Sequence, residues 1–237
     1  MAKLLDQKTF EKDVLVWDTK TWSKALVYWG KIARQQGFDK NQKKGLELGA
    51  NYGGMSLFFS HRFQSSMVCS DLQNPAPKAE PIHLKYAVSS NIRYEAINAC
   101  TIPYPDSHFD FVVFRSLLGV IGANGHVSDI QLAFSEIQRV LKPGGLLFYA
   151  ENMKASQLHQ FARRRFVAWG RKWHYLSSQE LNVYLSAFKI HEMQRVGFLT
   201  AFFSKSTFMQ RIAVHIDNLC FFVPDSWKYV AFGYAQK

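Results

Sequence analysis

The residues of this chain best placed to do chemistry lie at the ends of two short apolar runs. Leu46-Glu47-Leu48 leads into Gly49-Ala50-Asn51-Tyr52-Gly53-Gly54, and one helix length later Met67-Val68-Cys69-Ser70 ends in Asp71, 22 residues beyond Gly49. A glycine-rich turn lets a ligand touch backbone, and a carboxylate closing the next strand is placed for ribose hydroxyls. This is the layout of a nucleoside-binding strand–helix–strand unit. The middle glycine of the pyrophosphate pattern G-x-G-x-x-G is replaced by Asn51, one of the few residues that tolerate a left-handed bend. Glu47 would repel a pyrophosphate. It suits a ligand carrying an ammonium or sulfonium charge; the alternative is a strand-end glutamate that caps a neighbouring helix.

Two further blocks narrow the choice. Asn98-Ala99-Cys100-Thr101-Ile102-Pro103-Tyr104-Pro105-Asp106-Ser107-His108-Phe109-Asp110 runs into the apolar Phe111-Val112-Val113-Phe114, and Glu136-Ile137-Gln138-Arg139-Val140-Leu141-Lys142 leads to Pro143-Gly144-Gly145 and another apolar run. In order and spacing, residues 44 to 150 resemble class I S-adenosylmethionine-dependent methyltransferases of the small-molecule, methyltransferase-11-like type. That resemblance implies S-adenosylmethionine as cofactor and S-adenosylhomocysteine as product. It implies that Gly49, Ala50, Asn51, Gly53 and Gly54 cup the methionine portion, with amides at the helix start receiving its carboxylate, and that Glu47 faces the ammonium side. Asp71 would hold the ribose and Leu72 would pack on adenine. Asn98 and Ala99 would meet the adenine edge, with Cys100 beside them in the cofactor-binding set. The family usually has Asp where this chain has Asn98, and an amide oxygen can still accept a hydrogen bond there.

The elements needed to position these residues are legible. Trp22, Ala25, Leu26, Trp29, Ile32 and Ala33 recur at helical spacing before Gly37, predicting a helix that covers the cofactor or the substrate mouth. Strands are expected at about 45–48, 67–70, 92–97, 109–114 and 145–150, with helices near 54–64, 77–90 and 127–141 between them. A helix near 154–169 follows, then one opened by a Ser177/Glu180 capping box, then closing strands at 189–196 and 227–235. Between those strands Phe208, Ile212, His215, Ile216 and Leu219 share one helix face. The fold expected is α/β: a Rossmann-like, doubly wound, mostly parallel seven-stranded sheet with helices on both faces and an antiparallel C-terminal strand. A single domain spans 1–237, divided into an N-terminal helical cap (1–43), a cofactor-binding core (44–150) and substrate-side helices with closing strands (151–237).

Chemistry on the acceptor side is less sharply written. His126, in the glycine-rich segment after the fourth strand, either serves as a general base or merely starts the next helix. Arg115 either contacts cofactor or an acidic substrate, or packs a helix. Glu151 and Asn152 end the fifth strand and point toward the cleft. Phe202, Phe203, Phe208, Phe221, Phe222 and Trp227 fit an apolar or ring-bearing acceptor pocket, or else sheet packing. The chain carries a formal charge of +11, and residues 151–237 hold twelve basic against five acidic residues. The run Arg163-Arg164-Arg165-Phe166-Val167-Ala168-Trp169-Gly170-Arg171-Lys172-Trp173 reads either as a lid for an anionic substrate or as a solvated basic helix whose Phe161, Trp169 and Trp173 are core contacts. The same mixture suits peripheral contact with a membrane surface.

The expected activity is methyl transfer to an O or N atom of a small-molecule acceptor, anionic or aromatic. Alternatives are a non-catalytic S-adenosylmethionine- or nucleoside-binding module and an RNA methyltransferase. An NAD-linked oxidoreductase is disfavoured by Glu47, the missing glycine and the Pro-Tyr-Pro-Asp block. Nucleic-acid methylation of bases is disfavoured because neither an Asn/Asp-Pro-Pro-aromatic block nor a Pro-Cys nucleophile occurs. Cys69, Cys100 and Cys220 lack metal-site spacing, so no metal and a reduced, cytoplasmic setting are expected. No apolar leader or membrane span is apparent.

Overall fold

The computed structural model describes residues 6–166, 172–203, 207–219 and 222–237. Val167 to Arg171, Cys220 and Phe221 lie outside the described residues, as do the side chains of Phe203 and Phe208.

Five strands pair in parallel: β1 (Lys44–Leu48), β2 (Ser66–Asp71), β3 (Ile92–Ala96), β4 (Phe109–Arg115) and β5 (Leu141–Asn152); all but the edge strand β3, where Ile92 alone is buried, are mostly buried. Near-continuous hydrophobicity is what a central strand covered on both faces requires. Two closing strands, β6 (Ile190–Val196) and β7 (Val230–Gln236), complete a sheet of order β3-β2-β1-β4-β5-β7-β6. Only β7 runs antiparallel to its neighbours. Chain order reverses between β1 and β4, which opens a crevice beyond the carboxyl ends of those two strands. The expected sheet is the observed one.

Helices cover both faces. α1 (Gln7–Leu15), α2 (Thr19–Gln35), α3 (Gly54–Phe63) and α4 (Ala76–Lys85) precede β3, and α5 (Leu118–Ile121) and α6 (Val127–Val140) lie between β4 and β5. α7 (Gln157–Phe166) and α8 (Ser178–Leu185) follow β5, and α9 (Thr207–Leu219) sits between β6 and β7. One core layer joins α2 and α3 to the sheet through Trp22, Trp29, Phe59, Phe111 and Phe148. Its rings interlock, with Phe59 and Phe111 centroids 4.6 Å apart, and the Trp29 indole donates to the Gly233 carbonyl at 2.9 Å. The other layer packs α6 and α8 on the opposite face through Phe134, Ile137, Leu181 and Tyr149.

Departures from the expected boundaries have local causes. α4 stops at Lys85 rather than near residue 90, because Ala87 is left-handed and a tight turn at Ser89–Asn91 follows. β5 begins at Leu141, and a register shift opposite Phe109 and Phe111 absorbs Pro143-Gly144-Gly145. The Ser177 capping box forms as expected. α1 was not anticipated; its cap is Asp6, whose carboxylate accepts the Lys8 amide at 2.7 Å. On α9 the shared face turns outward: Ile212, Ile216 and Leu219 are exposed, while Ala213 faces in.

The approach of α1 to α3 is the tightest constraint near the crevice. A Cβ on Gly54 would stand 1.9 Å from the Val14 carbonyl oxygen, so the end of α1 rests directly on the first turn of α3. Gly54→Ala should cost about 1–3 kcal/mol, the range for forced overpacking. Hydrogen exchange should show α1 losing protection while β4 and β5 keep theirs; unchanged protection of α1 would refute this contact.

Candidate cofactor and acceptor site

β1 ends at Leu48, and the chain then bends through Gly49 (φ 66°) and Asn51 (φ 48°) before Gly53 (φ 68°) opens α3. Three left-handed residues in five make a sharp turn, and Asn51 takes the strained position that glycine would fill in the pyrophosphate pattern. Two carboxylates hold it. Asp71, at the end of β2, accepts the amides of Asn51 at 2.9 Å and Leu72 at 2.7 Å. Glu47 accepts the amides of Met55 at 3.0 Å and Ser56 at 2.7 Å, the first turn of α3.

This geometry decides one question left open by the residues: Glu47 is a helix cap. It lies on the wall of the same cavity, but both carboxylate oxygens are engaged by α3, and burial pushes its pKa upward. The amides of Met55 and Ser56 are therefore taken, so these two of the helix-start amides do not receive a ligand carboxylate.

A cavity of about 560 Å³ opens beyond the strand ends. It is lined by Glu47, Gly49, Ala50, Asn51, Gly54, Asp71 and Leu72, by Asn98, Ala99 and Cys100, and by Arg115. Of the cofactor residues expected, Gly53 alone is not on the wall. It backs against His83, whose Nε2 lies 2.9 Å from the Gly53 carbonyl oxygen. Asn98 holds its own loop, its Oδ1 accepting the Cys100 amide at 2.9 Å. Burial, with Asp129 and Glu136 nearby, pushes the Cys100 thiol up, so it remains a neutral thiol.

Arg115 is the cation of this cavity. Its guanidinium lies 5.1 Å from the Trp17 ring centroid and 5.4 Å from that of Trp22. Burial pushes its pKa down to about 10, while Glu47, Asp18 and Glu151 hold it up. It stays charged, and its shielded Nη1 has no hydrogen-bond partner. A buried guanidinium nitrogen without an acceptor is costly, and a ligand carboxylate would satisfy it.

Part of the remaining wall was missed from sequence, although the glycine-rich segment after β4, which holds Val120 and Ile121, was expected over the mouth. Val14, Val16 and Trp17 come from the joint between α1 and α2, and Val120, Ile121 and Trp173 from the opposite side. Val16 at φ 63° and Asp18 at φ 45° are strained non-glycine residues, and positive φ at a β-branched valine is a true outlier. A short apolar stretch punctuated by Asp18 gave no periodic signal that could have announced this.

Other expectations are not met. His126 is exposed at the start of α6 and is not on the cavity wall. Glu151 is fully buried and accepts the Leu118 amide at 2.7 Å, and Asn152 donates to the Ser116 hydroxyl at 3.0 Å; both brace the wall from behind. Phe202, Phe222 and Trp227 are exposed and line no part of it. The basic run divides: Arg163 donates to the Met153 carbonyl at 2.7 Å with its guanidinium 4.0 Å from the Tyr175 ring centroid, whereas Arg164 and Arg165 are exposed. Arg163 is a brace, not part of a solvated lid. Trp173 is a cavity residue, and Phe161 is exposed rather than a core contact.

Residues 46–149 match the family model described as a methyltransferase domain. The matched segment, a little under half of the chain, resembles a methyltransferase domain. Among curated relatives, the ubiquinone/menaquinone biosynthesis C-methyltransferase UbiE of Shewanella frigidimarina is 32% identical over 111 residues, 46% of this chain and 42% of that protein. The chain thus spans less than half the length of that relative. The putative sarcosine dimethylglycine methyltransferase from Galdieria sulphuraria superimposes with a TM-score of 0.62 at 18% identity, covering 91% of this chain and 86% of that one. Haemonchus contortus phosphoethanolamine N-methyltransferase 2, solved with phosphomonomethylethanolamine and S-adenosylhomocysteine, superimposes with a TM-score of 0.59 at 18% identity over 91% of this chain and 52% of that one. In this chain the turn after β1, the end of β2 and the 98–100 loop all face one cavity.

Glu151 makes the wall sensitive to pH. Burial pushes its carboxyl up to about 7, against the amides of Leu118, Asn152, Leu117 and Gly119. A carboxyl raised above its unfolded value of 4.5 binds more protons when folded. Its stabilising contribution is fully present below 4.5 and is lost as pH rises through about 7. Glu151→Gln should flatten the fall in unfolding free energy across that window by up to about 3 kcal/mol. Urea unfolding at several pH values checks this, and equal slopes in both proteins would remove Glu151 as the titrating group.

Proposed function

We propose that this protein transfers a methyl group from S-adenosylmethionine to a small apolar or ring-bearing acceptor. The observation that carries the reading is one cavity in which the Gly49–Gly54 turn, Asp71, the 98–100 loop and an unsatisfied Arg115 nitrogen meet the rings of Trp17 and Trp173. When bound, S-adenosylmethionine supplies a methyl group on a sulfonium that leaves as a neutral thioether. The protein's part is then positioning and exclusion of water, and fixed alignment alone is worth up to roughly 7–11 kcal/mol in favourable systems.

Each residue's role follows from its surroundings. Asp71 has spare lone pairs for ribose hydroxyls after serving Asn51 and Leu72. Arg115 receives the methionine carboxylate, a role its unpartnered Nη1 fits and the Met55 and Ser56 amides, held by Glu47, do not take. Leu72, 69% exposed at the rim, offers an apolar surface to the adenine. Trp17, Val120, Ile121 and Trp173 form the acceptor wall, so acceptor specificity comes from residues on both sides of the cofactor core and from the segment after β4 within it. Among the described residues no histidine lines the cavity, and the Cys100 thiol stays neutral; the carboxylates of Asp71 and Asp129 are on the wall. UbiE is named a C-methyltransferase and the Haemonchus enzyme an N-methyltransferase, so carbon joins oxygen and nitrogen as an acceptor atom to screen.

Thermal unfolding with S-adenosylhomocysteine should raise Tm by roughly 5–10 °C at about 100 times Kd, with NAD giving no shift. A shift with NAD alone, or with neither, would defeat the cofactor reading. Arg115→Gln should weaken S-adenosylhomocysteine by about ten- to hundredfold, the loss of about 1.4–2.7 kcal/mol in a charge-assisted bond. It should leave 5′-methylthioadenosine, which lacks the carboxylate, unchanged. Equal losses for both ligands in calorimetric titration would overturn the carboxylate role while leaving the site intact.

A further inference from the structure

His83 of α4 is fully buried and lies off the cavity wall, behind the turn that follows β1. Both of its ring nitrogens are engaged. Nε2 lies 2.9 Å from the Gly53 carbonyl oxygen, and Nδ1 lies 2.9 Å from the Tyr94 hydroxyl of β3. A carbonyl can only accept, so Nε2 carries the proton and Nδ1 is bare, accepting the Tyr94 O–H. The partners thus fix the tautomer. The Tyr94 ring lies nearly parallel to the imidazole, with 16° between the planes and centroids 5.6 Å apart.

The Gly53 carbonyl is where the turn meets the helix. It accepts the Leu57 amide at 2.9 Å, the first bond of α3, while the Gly53 amide donates to the Ala50 carbonyl at 2.8 Å and closes the turn. A carbonyl oxygen has a second lone pair, and His83 fills it. The fit leaves no slack: a Cβ on Gly53 would stand 2.6 Å from His83 Cε1 and 2.7 Å from its Nε2. Asp71 holds the turn by the Asn51 amide, and Glu47 holds α3 by the amides of Met55 and Ser56. His83 adds a third hold, from α4, on the left-handed residue between those two grips.

We propose that neutral His83 is a positioning residue for cofactor binding: it fixes Gly53, and through Gly53 the Asn51–Gly54 backbone that meets the ligand. The inference takes its ligand from the cofactor reading above; the hold on the turn stands on the hydrogen bonds alone. The charge state agrees with it. Burial pushes the His83 pKa below its ordinary 6.5, while the Gly53 carbonyl and Glu80 of α4 pull the other way. On β3 the ring faces the Tyr94 hydroxyl, and the neighbouring Cys69 thiol of β2 is pushed up by burial and stays neutral. A histidine depressed by the clamped geometry supports that geometry above its ordinary pKa and opposes it as pH falls below 6.5. A cofactor that needs the clamped turn therefore binds more weakly in acid.

Two variants and two readouts test it. His83→Gln keeps an N–H donor for the Gly53 carbonyl and cannot titrate, whereas His83→Leu keeps no donor. In ligand-free protein, hydrogen exchange at the Gly53 and Leu57 amides should quicken about tenfold in His83→Leu and stay close to wild type in His83→Gln, with β4 and β5 unchanged in both. In calorimetric titration at neutral pH, His83→Leu should bind S-adenosylhomocysteine about tenfold more weakly, the size of one lost hydrogen bond. His83→Gln should recover most of that loss. Across about pH 5–8, the wild type should lose affinity on the acid side and His83→Gln should not. Exchange left unchanged by both substitutions would overturn the positioning role, as would equal weakening by both or an acid loss that persists in His83→Gln. The comparison of wild type with His83→Gln decides even where His83→Leu does not fold. A wild-type protein that does not bind S-adenosylhomocysteine defeats the cofactor reading, and the exchange rates then still decide whether His83 holds the turn.

Discussion

The site depends on two carboxylates that grip a turn from both sides. Glu47 and Asp71 sit at the ends of adjacent strands, and between them they accept four backbone amides from the Asn51–Leu72 region and from α3. Bonds to a charged acceptor are worth roughly 1.5–3 kcal/mol each. Such bonds keep a left-handed Asn51 where glycine would cost less strain. The turn is rigid before any ligand arrives, and rigidity is what a positioning enzyme needs. Glu47 serves α3 first: each of its oxygens accepts one amide of the first turn, while the residue also lies on the cavity wall.

That arrangement displaces a task onto Arg115. A helix start is normally a ready anion receiver, but here the chain's own carboxylate occupies it. The balancing cation comes from the end of β4 instead, enclosed by Trp17 and Trp22 and surrounded by Glu47, Asp18 and Glu151. Ring faces attract a desolvated cation by about 2 kcal/mol or more, and Glu47, Asp18 and Glu151 add to it. The charge is thus tolerated in place while one nitrogen remains unsatisfied, which is a poised state rather than a stable contact.

The cofactor half of this site was legible because its signals are local. Glycine spacing, a carboxylate at a strand end and the Pro-Tyr-Pro-Asp block each sit within a few residues of what they determine, and sheet order follows from strand–helix alternation. Whether Glu47 faced ligand or helix was not legible: either fits a carboxylate two residues before a turn, and only the position of α3 decides it. His126 failed for the reverse reason, since a loop after β4 points where α5 and α6 send it. The aromatic residues of the C-terminal part misled because composition does not say which way a helix face turns. Ile212 and Ile216 have the periodicity of a buried stripe and stand in solvent.

The acceptor half was illegible because it is assembled from distant parts. Trp17 lies before the first strand and Trp173 after the fifth, yet both line the same cavity. What joins the ends is polar: Asp18, Thr21, Thr200 and Tyr229 share hydrogen bonds of 2.5–3.2 Å around one phenol. Burial and the neighbouring Asp18 raise the Tyr229 pKa well above its usual value, so it stays a neutral donor and the network keeps its polarity. A strained Val16–Asp18 joint held by such a network can shift only if several bonds move together. The cavity wall is therefore set jointly by the α1–α2 joint, the segment after β4 and Trp173, while the carboxylates that grip the turn, Glu47 and Asp71, stand on the first two strands.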